Sequence, residues 1–247
     1  MRGKCKASDY RITCSKVVPA FRSGNKESDG TWSMKPYWKN DQVTLYCGDC
    51  RSVIKELPAV PLILMDPPYG VGKDEWDKES CEWIVPVCEG KYVSMFITPG
   101  IKNMFRFAAP TWVASYCYPN GTKRSVGGGI NAWEPVLIYG ENPFDLDCRM
   151  FKPTASVKID GHSTPKPIMP WSWLMSIGSK PGDTVLDPFG GSGATGAVAI
   201  ELGRKAILCE INEDYCKQIV ERLKGVKRFN DNGLLTIAQK QKVRLFK

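Results

Sequence analysis

Residues 184–196 have the sequence TVLDPFGGSGATG, which combines a short apolar strand, a glycine-rich turn and the start of a helix. Glycines at 190, 191 and 193 allow the backbone to approach a ligand closely and to take positive φ angles. The helix that begins near Ala194 offers unpaired backbone N–H groups to an anionic group. These features predict a site for a nucleotide-like ligand, and a tight turn without a ligand is the alternative.

Two acidic residues near this turn indicate which ligand it binds. Glu210 ends the next predicted strand, twenty positions after Gly190, where a carboxylate can accept hydrogen bonds from both ribose hydroxyls. Asp187 precedes the glycines, with Pro188 and Phe189 between, so the loop is wider than a dinucleotide turn. A carboxylate repels a pyrophosphate but attracts an ammonium or sulfonium group. The loop therefore favours S-adenosylmethionine over NAD.

A second turn carries groups that suit a base amine. The apolar strand 62–65 runs into Asp66, Pro67, Pro68 and Tyr69. The prolines fix φ and remove backbone donors, so the local carbonyls face outward. Asp66 adds an acceptor at the carboxyl end of the strand, and Tyr69 adds a ring that can stack on a flat group. An exocyclic amine fits such an acceptor pair, and a plain proline turn is the alternative.

Apolar runs and helical periodicity alternate along the rest of the chain. Strands are predicted at 43–47, 62–65, 92–98, 111–118, 134–139, 184–186 and 206–209. Helices are predicted at 51–57, 79–88, 101–107, 170–177, 194–202 and 213–223. The polar stretch 22–40 is predicted to be a loop. This alternation predicts an α/β fold with a mostly parallel sheet.

Composition and charge limit the classes of function. The chain has 247 residues, 43% hydrophobic and 24% charged, which excludes a largely disordered protein. No apolar run has the length of a membrane span or a signal-peptide core, so we expect a cytoplasmic protein with reduced cysteines and no membrane partner. Cys47 and Cys50 have the spacing of metal ligands, but no second such pair follows and His162 is the only histidine. We therefore expect no metal site.

The net charge of +8 is concentrated at the two ends. Residues 1–40 hold nine basic and three acidic side chains, residues 217–247 hold nine and two, and residues 41–216 are mildly acidic. A polyanion held by the ends is one interpretation, and solvated lysines are the other. We assign residues 1–40 to a basic N-terminal arm and 225–247 to a basic C-terminal tail.

The order of the two motifs resembles a known family. Asp-Pro-Pro-Tyr at 66–69, followed far downstream by Asp-Pro-Phe-Gly-Gly-Ser-Gly at 187–193, resembles the DNA amino-methyltransferases that act on adenine N6 or cytosine N4, and the motif order is similar to that of their beta class. Residues 162–167, HSTPKP, resemble the family's motif ten, and residues 45–49, LYCGD, resemble its Gly-Asp element. The resemblance covers about 43–223.

This resemblance implies a Rossmann-like class I methyltransferase sheet in circularly permuted order, with the catalytic motif before the cofactor motif. The methyltransferase domain would span 41–224, with small target-recognition inserts near 119–133 and 142–160. The cofactor would be S-adenosylmethionine, held by Asp49, His162, Thr164, Lys166, Asp187, Phe189, Gly190, Gly191, Ser192, Gly193 and Glu210.

The resemblance also implies a mechanism without a metal ion. The target base would be flipped out of the duplex. Asp66 and the carbonyl of Pro67, within the turn that Pro68 stiffens, would hold its amine, and Tyr69 would stack on the base. The methyl group would pass in line from sulfonium to nitrogen.

Aspartate at the head of the motif favours adenine N6 as the target, with cytosine N4 as the alternative. A non-catalytic nucleic-acid-binding subunit of the same fold and an NAD-dependent oxidoreductase are further alternatives. Lys123 and Arg124, in a glycine-rich insert, are predicted to contact DNA. The expected partner is double-stranded DNA, although charge alone also fits RNA. A homodimer, a restriction endonuclease partner, and a bacterial or phage-infected host cell are compatible with the resemblance.

Overall fold

The computed structural model describes residues 35–70, 81–118, 131–145, 147–151 and 168–226, together with the backbone of short strands at 24–26, 32–34, 123–124 and 130. Its strands are β1 (Gly24–Lys26), β2 (Trp32–Met34), β3 (Trp38–Lys39), β4 (Val43–Cys47), β5 (Val60–Met65), β6 (Tyr92–Ile97), β7 (Trp112–Cys117), β8 (Lys123–Arg124), β9 (Ile130–Asn131), β10 (Trp133–Gly140), β11 (Cys148–Met150), β12 (Thr184–Asp187) and β13 (Lys205–Glu210). Its helices are α1 (Cys50–Glu56), α2 (Ile84–Val87), α3 (Ile168–Gly178), α4 (Ala194–Glu201) and α5 (Glu213–Lys224), with a 3-10 helix at Met104–Arg106.

Nine strands form one sheet in the order β11-β7-β10-β6-β5-β12-β13-β4-β3. The five strands from β6 to β4 are mutually parallel, and β10 and β3 join the two sides of that block in antiparallel orientation. Beyond β10, β7 pairs antiparallel with β10 and parallel with β11. The predicted α/β fold with a mostly parallel sheet is therefore confirmed.

Strands β5 and β12 are neighbours although more than one hundred residues separate them in the chain. They are parallel, and Leu62 pairs with Val185. Their carboxyl ends therefore lie at the same edge of the sheet, where the turn that begins at Asp66 meets the loop that follows Asp187. Strand β5 precedes β12 in the chain, and circular permutation as the origin of this order stays a prediction.

Alternate side chains of β5 enter different hydrophobic clusters. Leu62 and Leu64 pack in a cluster that includes residues of α3, α4 and α5, whereas Ile63 and Met65 pack in one that includes residues of α1 and α2. All four side chains are fully buried. A strand covered on both faces needs a continuous apolar run, which is why the run at 62–65 specifies a central strand.

The seven predicted strands are present with ends within two residues of the predicted ones, but two predicted helices differ from the structure. The helix predicted at 101–107 is wrong, because this segment forms only the 3-10 helix, and Phe107 ends it in an extended conformation (φ −75°, ψ 152°). The helix predicted at 79–88 is shorter, since α2 covers 84–87 and Gly90, at φ +73°, turns the chain away just beyond it. Residues 79 and 80 lie outside the described part of the chain.

The loop predicted at 22–40 contains strands, which corrects that prediction. Strand β3 pairs antiparallel with β4, and the backbone N–H of Tyr37 donates to the carbonyl of Leu45 at 2.8 Å. Trp38 is partly buried and Lys39 is exposed, an alternation too short for the sequence pattern to reveal. Upstream, β1 pairs with β2. Strand β3 therefore joins the edge of the main sheet ahead of residue 41.

Candidate active site

The turn after β5 carries a carboxylate held by two hydroxyl groups. Asp66 Oδ1 accepts a hydrogen bond of 2.8 Å from Tyr69 Oη and another of 2.8 Å from Thr98 Oγ1. Thr98 follows β6, the parallel neighbour of β5, and is fully buried. Its backbone N–H also donates to the carbonyl of Met65 at 3.1 Å. The ends of two adjacent strands therefore fix this carboxylate.

The segment after β6 also positions the ring of Tyr69. Gly100 has a φ of +71°, and a Cβ atom at this position would lie 3.5 Å from the Tyr69 ring. Asn103, 4% exposed, donates through Nδ2 to the carbonyl of Tyr69. Sequence reasoning missed Thr98, Gly100 and Asn103. A Thr-Pro-Gly sequence directly after an apolar strand is the signal that could have indicated a functional turn there.

The glycine loop after β12 is held tightly against β13 and α5. Gly191 and Gly193 take φ angles of +51° and +76°. The backbone N–H of Gly190 donates to the carbonyl of Cys209 at 2.7 Å. A Cβ atom at position 193 would lie 3.2 Å from the buried Ile219 side chain of α5. These positions require glycine because the backbone takes positive φ angles and, at position 193, because the Ile219 side chain leaves little room for a Cβ atom.

Ser192, within this loop, is buried and fixed by a residue of α5. Arg222 Nη1 donates to the carbonyl of Ser192 at 2.7 Å and to its Oγ at 3.2 Å. The guanidinium thus ties the loop to the last turns of α5. Sequence reasoning did not single out Arg222, because it lies far beyond the motif.

Asp187 ends β12 and is 3% exposed. Its Oδ1 accepts from the backbone N–H of Phe189 at 2.9 Å, and its Oδ2 accepts from Thr195 Oγ1, which in turn accepts from Trp171 Nε1 at 2.8 Å. Burial raises the pKa of Asp187 to about 8, and the negative charges of Asp66 and Glu210 act in the same direction. A nearby cation would stabilise the ionised form of this carboxyl group.

Glu210 ends β13 and is 8% exposed. Its Oε2 accepts from the backbone N–H of Gly191 at 2.8 Å, and its Oε1 accepts from that of Asn212 at 2.9 Å. Burial raises the pKa of Glu210 above its ordinary value. Each carboxylate oxygen can accept a second hydrogen bond, so these contacts leave acceptor capacity for hydroxyl groups of a ligand.

Asp49 lies beside Glu210, because the backbone N–H of Gly48 donates to the Glu210 carbonyl at 2.7 Å. It caps α1 by accepting from the backbone N–H of Arg51 at 2.9 Å, and it forms an ion pair with the Arg51 guanidinium. Burial raises the pKa of Asp49, but the hydrogen bonds and charge of Arg51 outweigh it, so the pKa is lowered overall. Asp49 therefore has a clear structural role as a helix cap.

An aromatic pair connects this cap to the glycine loop. The Arg51 guanidinium lies 5.2 Å from the ring centroid of Trp83, and that ring meets Phe189 edge-on at 6.1 Å. Phe189 is thus packed from the α2 side of the sheet. Sequence reasoning assigned Trp83 only to a helix, since a lone tryptophan carries no pattern that indicates a site.

The structure does not describe the side chains of several predicted site residues. His162, Thr164 and Lys166 lie outside the described residues. Lys123 and Arg124 form β8, paired with β9, and only their backbone is described. Pro67 is buried and Pro68 partly buried in the turn 66–69 after β5, for which a catalytic role stays a prediction.

Within the described ranges, no helix is long and apolar enough to cross a membrane. The same part of the chain contains no cluster of three or more His, Cys, Asp or Glu side chains that could hold a metal ion.

Comparison with solved structures identifies the class of fold. The PvuII DNA methyltransferase (cytosine-N4-specific) superposes with a TM-score of 0.61 at 17% identity, over 82% of this chain and 92% of that one. The M1.HpyAVI–SAM complex superposes with a TM-score of 0.58 at 21% identity, over 73% and 98%. The sheet is that of the class I methyltransferases.

Sequence comparisons identify the family. A family model described as DNA methylase, of the N6 and N4 methyltransferases, matches residues 101–221. "DNA adenine methyltransferase YhdJ" from Escherichia coli (strain K12) is 27% identical over 82% of this chain and 90% of its own length. "Putative methylase YubD" from the same organism is 30% identical over 75% and 92%. The chain belongs to the S-adenosylmethionine-dependent DNA methylase family of the N6 and N4 amino-methyltransferases.

Proposed function

We propose that this protein is a DNA adenine-N6 methyltransferase that transfers the methyl group of S-adenosylmethionine to a flipped-out adenine. The observation that carries the proposal is the meeting of two strand ends, β5 with Asp66 and β12 with Asp187, at one edge of the sheet. Aspartate at position 66 favours adenine, as does the similarity to a relative named as an adenine methyltransferase. The structural similarity to a cytosine-N4 enzyme makes cytosine N4 the second candidate.

The groups in and around the glycine loop fit S-adenosylmethionine. The cofactor supplies an electrophilic methyl group on a sulfonium centre. Asp187, buried with a raised pKa, provides an acidic group that a cationic ligand would ionise. Glu210 provides acceptors for ribose hydroxyls, and Phe189, packed on Trp83, provides an aromatic wall. His162, Thr164, Lys166 and Asp49 remain proposed cofactor contacts from the family resemblance.

In this proposal the turn 66–69, which we call the catalytic turn, binds the target base and its amine. Asp66 and the Pro67 carbonyl accept hydrogen bonds from the exocyclic amine, which fixes the amine and directs its lone pair at the methyl group. Asp66 also accepts the proton that the nitrogen loses after methyl transfer. Thr98 and Tyr69 hold Asp66 in place from two sides. The face of the Tyr69 ring away from Gly100 stacks on the base.

Double-stranded DNA is the proposed substrate, contacted by Lys123 and Arg124 and by the basic segments 1–40 and 225–247. The inserts near 119–133 and 142–160 are proposed to recognise the target. Within the second insert, Arg149 packs over the rings of Phe151 and Trp173, at 5.7 and 5.9 Å. A homodimer, a restriction endonuclease partner and a cytoplasmic location stay predictions.

The test uses purified protein, S-adenosylmethionine and unmethylated plasmid DNA, followed by digestion to nucleosides and mass spectrometry. We expect N6-methyldeoxyadenosine from the wild type and none from Asp66→Ala, which should retain cofactor binding by calorimetry. N4-methyldeoxycytidine instead would move the target base to cytosine. Absence of any methylated nucleoside, despite measured cofactor binding, would refute a DNA methyltransferase.

A further inference from the structure

The segment 98–107 runs alongside the catalytic turn, and we call it the flanking segment. Thr98 donates to Asp66, Gly100 faces the Tyr69 ring, and Asn103 donates to the Tyr69 carbonyl. The segment therefore touches the turn at three successive points. Residues 104–106 thus belong to a segment that is anchored to the turn at Asn103.

Phe105 is the residue that the flanking segment exposes. Its side chain is 86% exposed, whereas Asn103 and Phe107 on either side are 4% and 7% exposed. The backbone around it is constrained, since the Arg106 N–H donates to the Asn103 carbonyl at 2.9 Å and the Arg106 guanidinium lies 3.6 Å from Glu82. The aromatic ring is thus displayed on a fixed support.

Single exposed apolar residues are common on protein surfaces, so exposure alone assigns no role. The local charge is more informative. Lys102 and Arg106 flank Phe105 in the sequence, and residues 99–118 contain no aspartate or glutamate. Arg106 pairs with Glu82 from outside this range, but its side chain stays 53% exposed and can also reach a phosphate. Cations near an exposed ring in the sequence suit a base stack that is bounded by phosphate backbones.

We propose that Phe105 inserts into the DNA base stack beside the target base, with Lys102 and Arg106 against the phosphates. This inference rests on the proposed function, because it needs a base that leaves the duplex. Apolar side chains that enter a base step unstack it, and flipping is easiest where the pair is already weakened. Phe105 would therefore stabilise the duplex from which the base has left, without touching the reacting atoms.

The test compares two duplexes built around the methylation site that sequencing of wild-type-treated plasmid identifies. In one duplex the target base is paired, and in the other it faces an abasic position. Phe105→Ala should lower kcat/KM on the paired duplex about tenfold or more. On the abasic duplex the loss should be less than about threefold, because the target base has no pairing partner there and leaves the stack more easily. Phe105→Leu should retain most activity, since it keeps a large apolar side chain.

Val93→Ala is the matched control. Val93 is 49% exposed and lies near the amino end of β6, at the opposite end of the strand from Thr98, so both duplexes should be methylated as by the wild type. Affinity for S-adenosylmethionine, measured by calorimetry, should be unchanged in each variant.

Wild-type rates for Phe105→Ala on the paired duplex would overturn the inference, and so would an equal loss on both duplexes. In either case the wild-type enzyme still methylates DNA, so the proposed function stands. A wild type that methylates no DNA would instead refute the proposed function and this inference with it.

Discussion

Thr98 Oγ1 donates a hydrogen bond of 2.8 Å to Asp66 Oδ1 from the end of the neighbouring strand β6. The donor is fully buried, and its hydroxyl also lies 3.4 Å from the Met65 carbonyl, a longer contact than the one to the carboxylate. The orientation of the Asp66 carboxylate, which we propose to be catalytic, is therefore influenced by a residue outside the motif that contains it.

Thr98→Val keeps the shape of the side chain and removes this hydrogen bond. Hydrogen bonds to charged groups are worth about 1.5–3 kcal/mol, so we expect kcat to fall about tenfold or more while cofactor affinity is unchanged. Steady-state methylation with a radiolabelled methyl donor measures the change. Thr98→Ser, which keeps the hydroxyl, should recover most of the rate; a serine variant as slow as the valine variant would contradict this role.

The buried carboxyl group of Asp187 predicts a pH dependence of stability without cofactor. Its pKa is raised from 3.8 to about 8, so the folded protein holds a proton that the unfolded chain releases between these values. The contribution is fully present below the unfolded pKa and is lost as pH rises through the folded one, so stability from this group falls towards pH 8. Urea unfolding across this range should show a smaller slope for Asp187→Asn than for the wild type. Asp145→Asn, at an exposed position, should leave the slope unchanged.

From the raised pKa of Asp187 we also expect cofactor affinity to rise with pH. A cationic ligand favours the ionised carboxylate, so binding below about pH 8 should release a proton and weaken as pH falls. Calorimetry in buffers of different ionisation enthalpy measures this release. Asp187→Asn should bind the cofactor more weakly and with less proton release; proton release equal to that of the wild type would assign the titration to another group.

Gly193→Ala should impair both stability and cofactor binding. Its φ of +76° costs a side chain about 1–2 kcal/mol, and the added Cβ would lie 3.2 Å from Ile219. Gly90→Ala is the matched control, because Gly90 has a φ of +73° and nothing within 4 Å of the added atom. Urea unfolding should show a loss for both variants and a larger one at position 193. Only Gly193→Ala should weaken cofactor affinity, and an equal effect of both would assign the loss to backbone strain alone.

Arg222→Met should affect the cofactor loop from a distance. The variant removes the hydrogen bonds to Ser192, and bonds that involve a charged group are worth about 1.5–3 kcal/mol. We therefore expect the KM for S-adenosylmethionine to rise about tenfold or more, with kcat near the wild-type value. Lys224→Met, on the same helix but paired with Glu221 in solvent, is the control. A matching rise in KM for both would indicate a general effect of lost charge.

The sequence predicts the parts of this site that lie within contiguous motifs. Asp66, Asp187 and Glu210 each follow an apolar strand, and parallel pairing places strand ends at one edge, so their convergence follows from the pattern. Their supporting residues could not be predicted in the same way. Thr98 and Arg222 act through pairings between segments remote in sequence, and single residues of ordinary type give no periodic signal.

Short secondary-structure elements also could not be predicted from local sequence patterns. Strand β3 contains two residues, and its place at the sheet edge depends on β4 being available as a partner. The flanking segment has the composition of a helix, but Asn103 uses its side chain to bind the Tyr69 carbonyl and Phe107 is buried in an extended conformation. Tertiary contacts thus override local preference there.

The order of strands in the sheet also decides when the protein can become active during its synthesis. In the main sheet, strand β4 lies between the short β3 and β13, and β13 is translated more than 150 residues after β4. At about 5–20 residues per second, the buried side chains of β4 wait on the order of ten seconds for that neighbour. The catalytic turn is synthesised long before β12 exists to face it. A nascent chain that stops before residue 184 therefore carries Asp66 without any cofactor loop, and premature termination yields no partial enzyme.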